Sequence, residues 1–213
     1  MNPTVKRVLI IVLVVLALAF LGLVYACNRA SRRSIAGLPN PKQTETTGQS
    51  RRTVGNYDVF ITYKYEYEIE ALVVHTNRHH WFSLEDRLSP IDVALAWGDV
   101  AEYNDRIDFH WDQSGRFYYW KVDSAKDLEL IGDSADVVRQ SSNNHLIPST
   151  SSLRWKMKRI MPGDHIKIKG YLVNVTASNS KNDVIWWNSS TIRSDTGDGA
   201  CELIYVTDLE FLD

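Results

Sequence analysis

An uncharged apolar segment from Val8 to Ala26 constrains this sequence more than any other feature. A membrane-spanning helix needs about 20 consecutive apolar residues, whereas the apolar part of a cleaved signal peptide is usually about 7–15 residues long. The sequence therefore predicts a basic leader at 1–7 and an uncleaved transmembrane signal anchor at 8–26. Membrane lipid would contact this N-terminal helix, and the rest of the chain would work while tethered beside the membrane.

Cys27 leaves a second interpretation of the same segment open. The residues Val24-Tyr25-Ala26-Cys27 resemble the bacterial lipobox, in which the chain is cut before a cysteine that is then acylated. Tyr25 is a poor fit to the residue type found there. Basic residues flank both ends of the apolar segment, so the positive-inside rule nearly cancels. Because a short basic leader precedes the segment, we expect a single-pass chain with its folded domain outside the cytoplasm.

The charge of the chain is distributed unevenly. Five of the 24 Lys and Arg residues lie within residues 1–33, which contain no acid, so the other 19 stand against 26 Asp and Glu and give residues 34–213 a net charge of −7. Neutralising phosphates supplies most of the affinity of proteins for nucleic acid. We therefore expect no nucleic-acid partner. The two cysteines, Cys27 and Cys201, are too few for a disulfide framework.

The remainder divides into a linker and one folded domain. Residues 27–56 are predicted to be a basic juxtamembrane segment and a flexible linker, because 34–56 are rich in Gly, Pro, Ser, Thr and Gln without apolar periodicity. The globular domain is predicted to span 57–213. Alternating apolar and polar residues at 63–70 and 166–175 indicate half-buried strands. Ser89-Pro-Ile-Asp92 is typical of a helix start, and this helix would end near Gly98.

Two further short helices are predicted at 134–140 and at about 151–161, beginning at serines that could act as N-caps. The expected fold class is thus an N-terminal transmembrane helix plus one α+β domain. Its sheet would be curved, mainly antiparallel and compatible with a small barrel, with two or three short helices.

Four segments of the domain are distinctive: Ala96-Trp97-Gly98-Asp99, Ser142-Asn-Asn-His-Leu-Ile-Pro148, Gly163-Asp-His-Ile-Lys-Ile-Lys-Gly-Tyr-Leu-Val173 and the segment Ser189–Glu202 with its Asp-Thr-Gly-Asp-Gly-Ala-Cys-Glu. Together they resemble an uncharacterised family of small membrane-anchored bacterial envelope proteins. The resemblance covers roughly 57–213 and does not extend to the polar linker at 34–56. It implies the bacterial inner membrane, a domain in the periplasm and other envelope proteins as partners, with no assigned activity.

Cys201 and His145 are the candidate catalytic residues. A thiolate paired with an imidazole is a nucleophile and base for acyl transfer, and Asn143 or Asn144 could orient the ring. Cys201 follows a Gly-rich turn whose backbone amides could stabilise an oxyanion. It opens a strand, however, whereas catalytic cysteines commonly open a helix. A small buried thiol and a hydrogen-bonding histidine in a polar loop therefore remain the alternative.

Other motifs carry weaker predictions. Asp195-Thr196-Gly197 spells the catalytic triplet of aspartic proteases, but the sequence has no second copy, and Arg193 would keep Asp195 ionised. The histidines at 75, 79 and 80 lack a fourth ligand for zinc. The acids at 195, 198 and 202 do not have the spacing of an EF-hand calcium loop. We predict no metal site and no cofactor.

A binding surface is the remaining candidate site. Trp186 and Trp187 are adjacent in a predicted strand, so their side chains should face opposite sides and one should lie on the outer face. Polar residues from two neighbouring segments would complete the surface: Asn143, Asn144, Arg193 and Asp195. The leading hypothesis is therefore a membrane-tethered, non-catalytic binding or assembly module of the envelope. A Cys/His-dependent hydrolase and an oligosaccharide-binding barrel are the alternatives.

Overall fold

The computed structural model describes residues 3–80, 82–192 and 199–212. In chain order the helices are α1 (Pro3–Ser31), α2 (Leu84–Leu88), α3 (Gly98–Glu102), α4 (Ser134–Arg139) and α5 (Ser151–Met157), with a 3₁₀ turn at Ala125–Leu130. The strands are β1 (Lys42–Val54), β2 (Tyr57–Arg78), β3 (Ile91–Ala96), β4 (Asp112–Ser114), β5 (Phe117–Tyr119), β6 (Ser141–Pro148), β7 (His165–Asn179), β8 (Val184–Asn188) and β9 (Glu202–Phe211).

Strand β2 is the organising element of the sheet, because it pairs with three other strands. It forms a hairpin with β1, an antiparallel ladder with β3 and a second long antiparallel ladder with β7. Register shifts between Tyr63 and Tyr65 and between Val73 and His75 mark bulges that bend β2. This curvature lets β2 pair with β7 along one edge and with β1 and then β3 along the other.

The β2–β7 ladder closes the sheet into a barrel. Seven strands follow the order β1-β2-β3-β6-β9-β7-β8, and the extra pairing of β2 with β7 joins five of them in a ring. Numbered along the chain, the ring reads 1-2-3-5-4-1, and its third and fifth strands, β6 and β9, are parallel. With α5 between the third and fourth strands, this is the strand order of the OB fold, a five-stranded Greek-key barrel.

The core fills this barrel with aliphatic side chains from all of its strands. Members include Ile69, Leu95, Leu146, Ile168 and Leu209, each at most 1% exposed. A second cluster, around Ile61, Val173 and Leu203, packs beneath α2 and includes Leu84 and Leu88. The two clusters of packed side chains support the connections between the barrel strands, and the candidate site lies on these connections.

The expected fold class is wrong in two respects. Helix α1 occupies the apolar N-terminal segment, but the described part of the chain contains no helix that is long and apolar enough to cross a membrane. The chain is also mostly sheet, with 45% strand against 24% helix, and its sheet is mixed. A closed mixed barrel with short helices therefore replaces the predicted transmembrane helix plus α+β domain.

Two predicted segments have a different structure. The segment expected to be a flexible linker contains β1, which pairs with β2 from Lys42–Glu68 to Val54–Tyr57. Just before it, Leu38 is buried and accepts a backbone hydrogen bond from Gly98. The helix predicted from Ser89 to Gly98 is strand β3, which is buried on both faces and so shows no strand-like alternation.

Candidate functional site

A cleft of about 550 Å³ opens where three connections of the barrel meet. Ser83 and Glu85 come from the connection between β2 and β3, and Arg116 and Phe117 come from the connection between β3 and β6. His145 lies on β6. Four lining residues and the thiol-bearing Cys201 come from the β7–β9 connection: Trp186, Trp187, Asn188, Gly199 and Cys201. The β2–β3 and β7–β9 connections correspond in order to the two loops at which OB-fold proteins bind oligosaccharides and oligonucleotides.

A buried carboxylate, Asp92, contacts two residues that line the cleft, His145 and Arg116. His79 Nε2 lies 2.8 Å from Asp92 Oδ2, while His145 Nδ1 and Arg116 Nη1 each lie 2.9 Å from Oδ1. Ser89 Oγ donates a longer hydrogen bond to Oδ1 at 3.4 Å. Asp92 is fully buried, and a buried charge needs such partners because its desolvation costs several kcal/mol. His79, Arg116 and Ser89 hydrogen-bond to the carboxylate, and His145 lies beside it.

Strand register explains why His145 meets Asp92. The two residues are direct partners in the antiparallel ladder of β3 and β6. Directly opposed residues project to the same face with Cβ atoms about 4.5–5.5 Å apart. Asp92 Oδ1 therefore lies at ion-pair distance from the His145 ring, which Asn143 or Asn144 was expected to orient, although His145 Nδ1 has no hydrogen-bond partner among the described residues.

Arg116 connects Asp92 to the rim of the cleft. Its Nη2 lies 2.8 Å from Asp86 Oδ1, and its guanidinium stands 4.9 Å from the ring centroid of Trp187. Ser83 and Asp86 form a capping box that begins α2, and this cap fixes the position of the Asp86 carboxylate. Arg116 is thus held by two carboxylates and one indole.

Both carboxylates of this cluster are stabilised in their charged form. Burial raises the pKa of the Asp92 carboxyl, but hydrogen bonds from His145 and His79 and the charge of Arg116 outweigh it, so the pKa lies below its ordinary value. Burial also raises the pKa of the Asp86 carboxyl. The hydrogen bond from the Ser83 backbone amide and the charge of Arg116 have a larger, opposite effect, so this pKa also lies below its ordinary value. The positive charge of Arg116 is therefore compensated by two negative charges.

The structure places the two candidate catalytic residues, Cys201 and His145, on the same cleft. Cys201 Sγ accepts a hydrogen bond from Asn143 Nδ2 at 3.4 Å and lies 3.7 Å from the Arg116 carbonyl oxygen. The His145 ring packs at 5.0 Å from the Trp187 ring, at an angle of 48°. His145 lies on β6, and not in the polar loop that the sequence suggested.

The candidate binding residues are distributed differently. Trp186 is 70% exposed at the cleft, whereas Trp187 is partly buried and packs against the second cluster. Asn143 accepts a hydrogen bond from Gln113 Nε2 at 2.6 Å. Asn144 is fully buried and donates to Ser142 and to the Val93 carbonyl, so it positions backbone and does not line the cleft.

Several predicted positions lie outside the described residues. Arg193 and Asp195 fall within 193–198, and the side chain of Cys27 is outside the part of the chain whose side chains are described. Of the clustered histidines, His79 binds Asp92, and His75 Nδ1 lies 3.0 Å from Gln113 Oε1. Among the described residues, no three His, Cys, Asp or Glu side chains are grouped to hold a metal ion.

Sequence reasoning missed Asp92, Arg116, Asp86 and the contact of His79. One signal was available: Asp92 interrupts the apolar sequence Ile-Asp-Val-Ala-Leu-Ala, and an acid in a fully buried strand must have partners.

Comparison with known proteins adds no family to this geometry. No protein-family model matches the sequence, and we found no significant match among curated proteins or solved structures.

Proposed function

We propose that this chain is a non-catalytic binding module and that its ligand enters the cleft between the barrel connections. The observation that carries the proposal is the position of Trp186: it is 70% exposed on a cleft that coincides with the ligand-binding loops of OB-type barrels. Phe117, also exposed, supplies a second apolar surface on the same cleft. Ligand sites typically combine such apolar surfaces with a few polar groups that fix orientation.

The charges of the cleft favour an uncharged ligand. Arg116 is its central cation, and Asp86 and Asp92 already compensate it, while Glu85 adds another negative charge on the lining. Among the described residues, a phosphate-rich ligand would meet more acids than uncompensated cations here. Hydroxyl groups of a sugar could hydrogen-bond to Ser83, Asn188 and Glu85 while an apolar sugar face packs on an indole. The ligand class that fits is therefore a neutral oligosaccharide.

The test compares two tryptophans of equal exposure. Trp186→Ala should lose most of the binding to those neutral hexose or N-acetylhexosamine oligosaccharides that bind the wild type, measured by calorimetry and tryptophan fluorescence. Trp155→Ala is the matched control, since Trp155 is 71% exposed on α5 and contacts Lys158. Loss of about tenfold in affinity in the first variant alone supports the proposal. Equal effects in both variants, or no binding by the wild type, contradict it.

A role in the bacterial envelope, beside other envelope proteins and in the periplasm, belongs to the same proposal and rests on the resemblance of the four sequence segments. A neutral glycan ligand is compatible with that setting. Cross-linking in intact bacterial cells followed by mass spectrometry tests it: recovery of envelope components cross-linked near Trp186 supports the setting, and recovery of cytoplasmic proteins alone contradicts it.

A Cys/His-dependent hydrolase is the second candidate, because Asp92 lies 2.9 Å from His145 Nδ1 and His145 lines the cleft that also contains Cys201. This arrangement supplies a nucleophile, a base and an orienting acid. Hydrolysis of activated esters and thioesters by the wild type, abolished in Cys201→Ala and His145→Gln, would support it. A thiol that does not react with iodoacetamide in the folded protein would rule out Cys201 as a nucleophile.

A further inference from the structure

A second group of basic side chains converges at the end of β1, with Arg52 at its centre. Arg52 Nη1 donates a hydrogen bond of 3.0 Å to the Pro148 carbonyl oxygen, and its guanidinium carbon lies 6.0 Å from the ring centroid of Tyr205. The Nε and Nη2 atoms are buried and have no hydrogen-bond partner among the described residues. No described carboxylate forms an ion pair with Arg52.

Arg154 places a second cation beside the first. It projects from α5, and its Nη2 donates a hydrogen bond to the Arg87 carbonyl oxygen at the end of α2. Burial lowers the pKa of the Arg52 guanidinium, and the charge of Arg154 lowers it further, although Tyr205 acts in the opposite direction. Burial also lowers the pKa of Arg154. Two guanidinium groups thus repel each other in a partly desolvated place.

The burial of the two unpaired donor atoms of Arg52 is costly. Donors that are buried without a partner lose their hydration and gain no hydrogen bond in return, and this cost is larger for a charged group than for a neutral one. The repulsion between the two guanidinium groups adds to that cost. The site is therefore unusual in an otherwise acidic domain, and it differs from the cleft, where the positive charge of Arg116 is compensated by Asp86 and Asp92.

We propose that Arg52 and Arg154 bind a phosphate group between the end of β1, α5 and the end of β6. A guanidinium group offers paired N–H donors that match the oxygens of a phosphate, and such charge-assisted hydrogen bonds are stronger than neutral ones. A phosphate carries a charge of about −1.5 to −2 at neutral pH, which balances two guanidinium groups better than one carboxylate would. Both side chains are only half-buried, so solvent has access to the site.

Arg51 provides a matched control on the adjacent position of the same strand. It is exposed, and its guanidinium lies 3.3 Å from Asp58. Arg51→Gln and Arg52→Gln remove the same charge from neighbouring residues. A general electrostatic effect would therefore appear in both variants, whereas binding at the proposed site depends on Arg52 alone of the two.

The experiment measures thermal stability and calorimetric binding of the full chain in sodium phosphate and in glycerol phosphate, against sodium chloride of equal ionic strength. We expect both phosphates to raise the melting temperature of the wild type and of Arg51→Gln, and Arg52→Gln to lose about tenfold or more in affinity. A response to glycerol phosphate alone would assign the site to esterified phosphate, and a response to inorganic phosphate alone would assign it to free phosphate.

Three results would overturn the proposal: no response of the wild type to either phosphate, an equal response in Arg52→Gln, or an equal response to sodium acetate. If Arg52→Gln does not fold, Arg154→Gln replaces it, because Arg154 lies on a short surface helix and supplies the other half of the proposed site. Retention of full phosphate affinity in that variant would then contradict the proposal.

Discussion

Replacing Asp92 with asparagine tests the central electrostatic argument of the structure. Asparagine keeps the size and shape of the side chain and removes its charge. Asp92 is fully buried and contacts His79, His145 and Arg116 at 2.8–2.9 Å. Breaking a buried ion pair by removing one partner costs about 3–5 kcal/mol, because the other charge stays buried without compensation. Arg116 keeps Asp86, so we expect the low end, about 3 kcal/mol.

Urea denaturation followed by tryptophan fluorescence measures this loss at neutral pH. For a domain of this size it corresponds to a fall in melting temperature of about 6–12 °C. Asp58→Asn is the control, because Asp58 pairs with Arg51 at an exposed site where such a pair contributes about 0–1 kcal/mol. If Asp92→Asn destabilises the protein no more than Asp58→Asn, the assignment of Asp92 as the charged centre of the cluster is wrong.

The same variant predicts a pH dependence whose sign follows from the pKa of Asp92. Its pKa in the folded protein lies below the ordinary value of about 3.9, so the carboxylate contributes stability above that pH and loses it as pH falls through the folded-state pKa. The difference in free energy of unfolding between wild type and Asp92→Asn should therefore be largest near neutral pH and shrink below about pH 4. A difference that grows on acidification would refute the reasoning.

Two further predictions concern the barrel and the rim of the cleft. Gly170→Ala should destabilise the protein by about 1–3 kcal/mol in urea denaturation. The added Cβ would stand 2.1 Å from the Tyr205 carbonyl oxygen, where β7 pairs with β9. An unchanged denaturation midpoint would show that the two strands separate there without cost. Ser83→Ala should cost about 0.5–2 kcal/mol by removing the N-cap of α2, and Ser83→Thr, which keeps the hydroxyl, should restore most of the stability; failure of that rescue would exclude capping as the cause.

The sequence indicated strands well where one face is buried and the other is solvated. The alternation at 63–70 and 166–175 falls within β2 and β7, since each of these segments has one face towards the core. Strand β3 has no strand-like pattern because both of its faces are buried, and Ser89-Pro-Ile-Asp92 resembles the start of a helix. The buried strand β6 has the polar composition of a loop, and its sequence does not show that neighbouring strands hydrogen-bond to it on both sides.

The candidate site could be anticipated only in part. Cys201, His145 and Trp186 were selected by chemical type, and the structure places all three on one cleft. Their electrostatic partner Asp92 could not be identified, because its contact with His145 depends on the register between two strands more than 50 residues apart in sequence. Register between distant strands is decided by how the whole sheet packs, and no local pattern encodes it.

The long strand β2 has a consequence for the way the molecule opens. It is hydrogen-bonded to β1, β3 and β7, and the ladder with β7 joins residues about a hundred positions apart. A break anywhere along this seam would release three neighbours at once, so partial unfolding should begin at the outlying β8 or at the β4–β5 hairpin, each of which has a single partner. Asp92 lies on β3, which is paired to this seam and should open late, whereas the aromatic side chains of the cleft on β8 belong to the part that should move first.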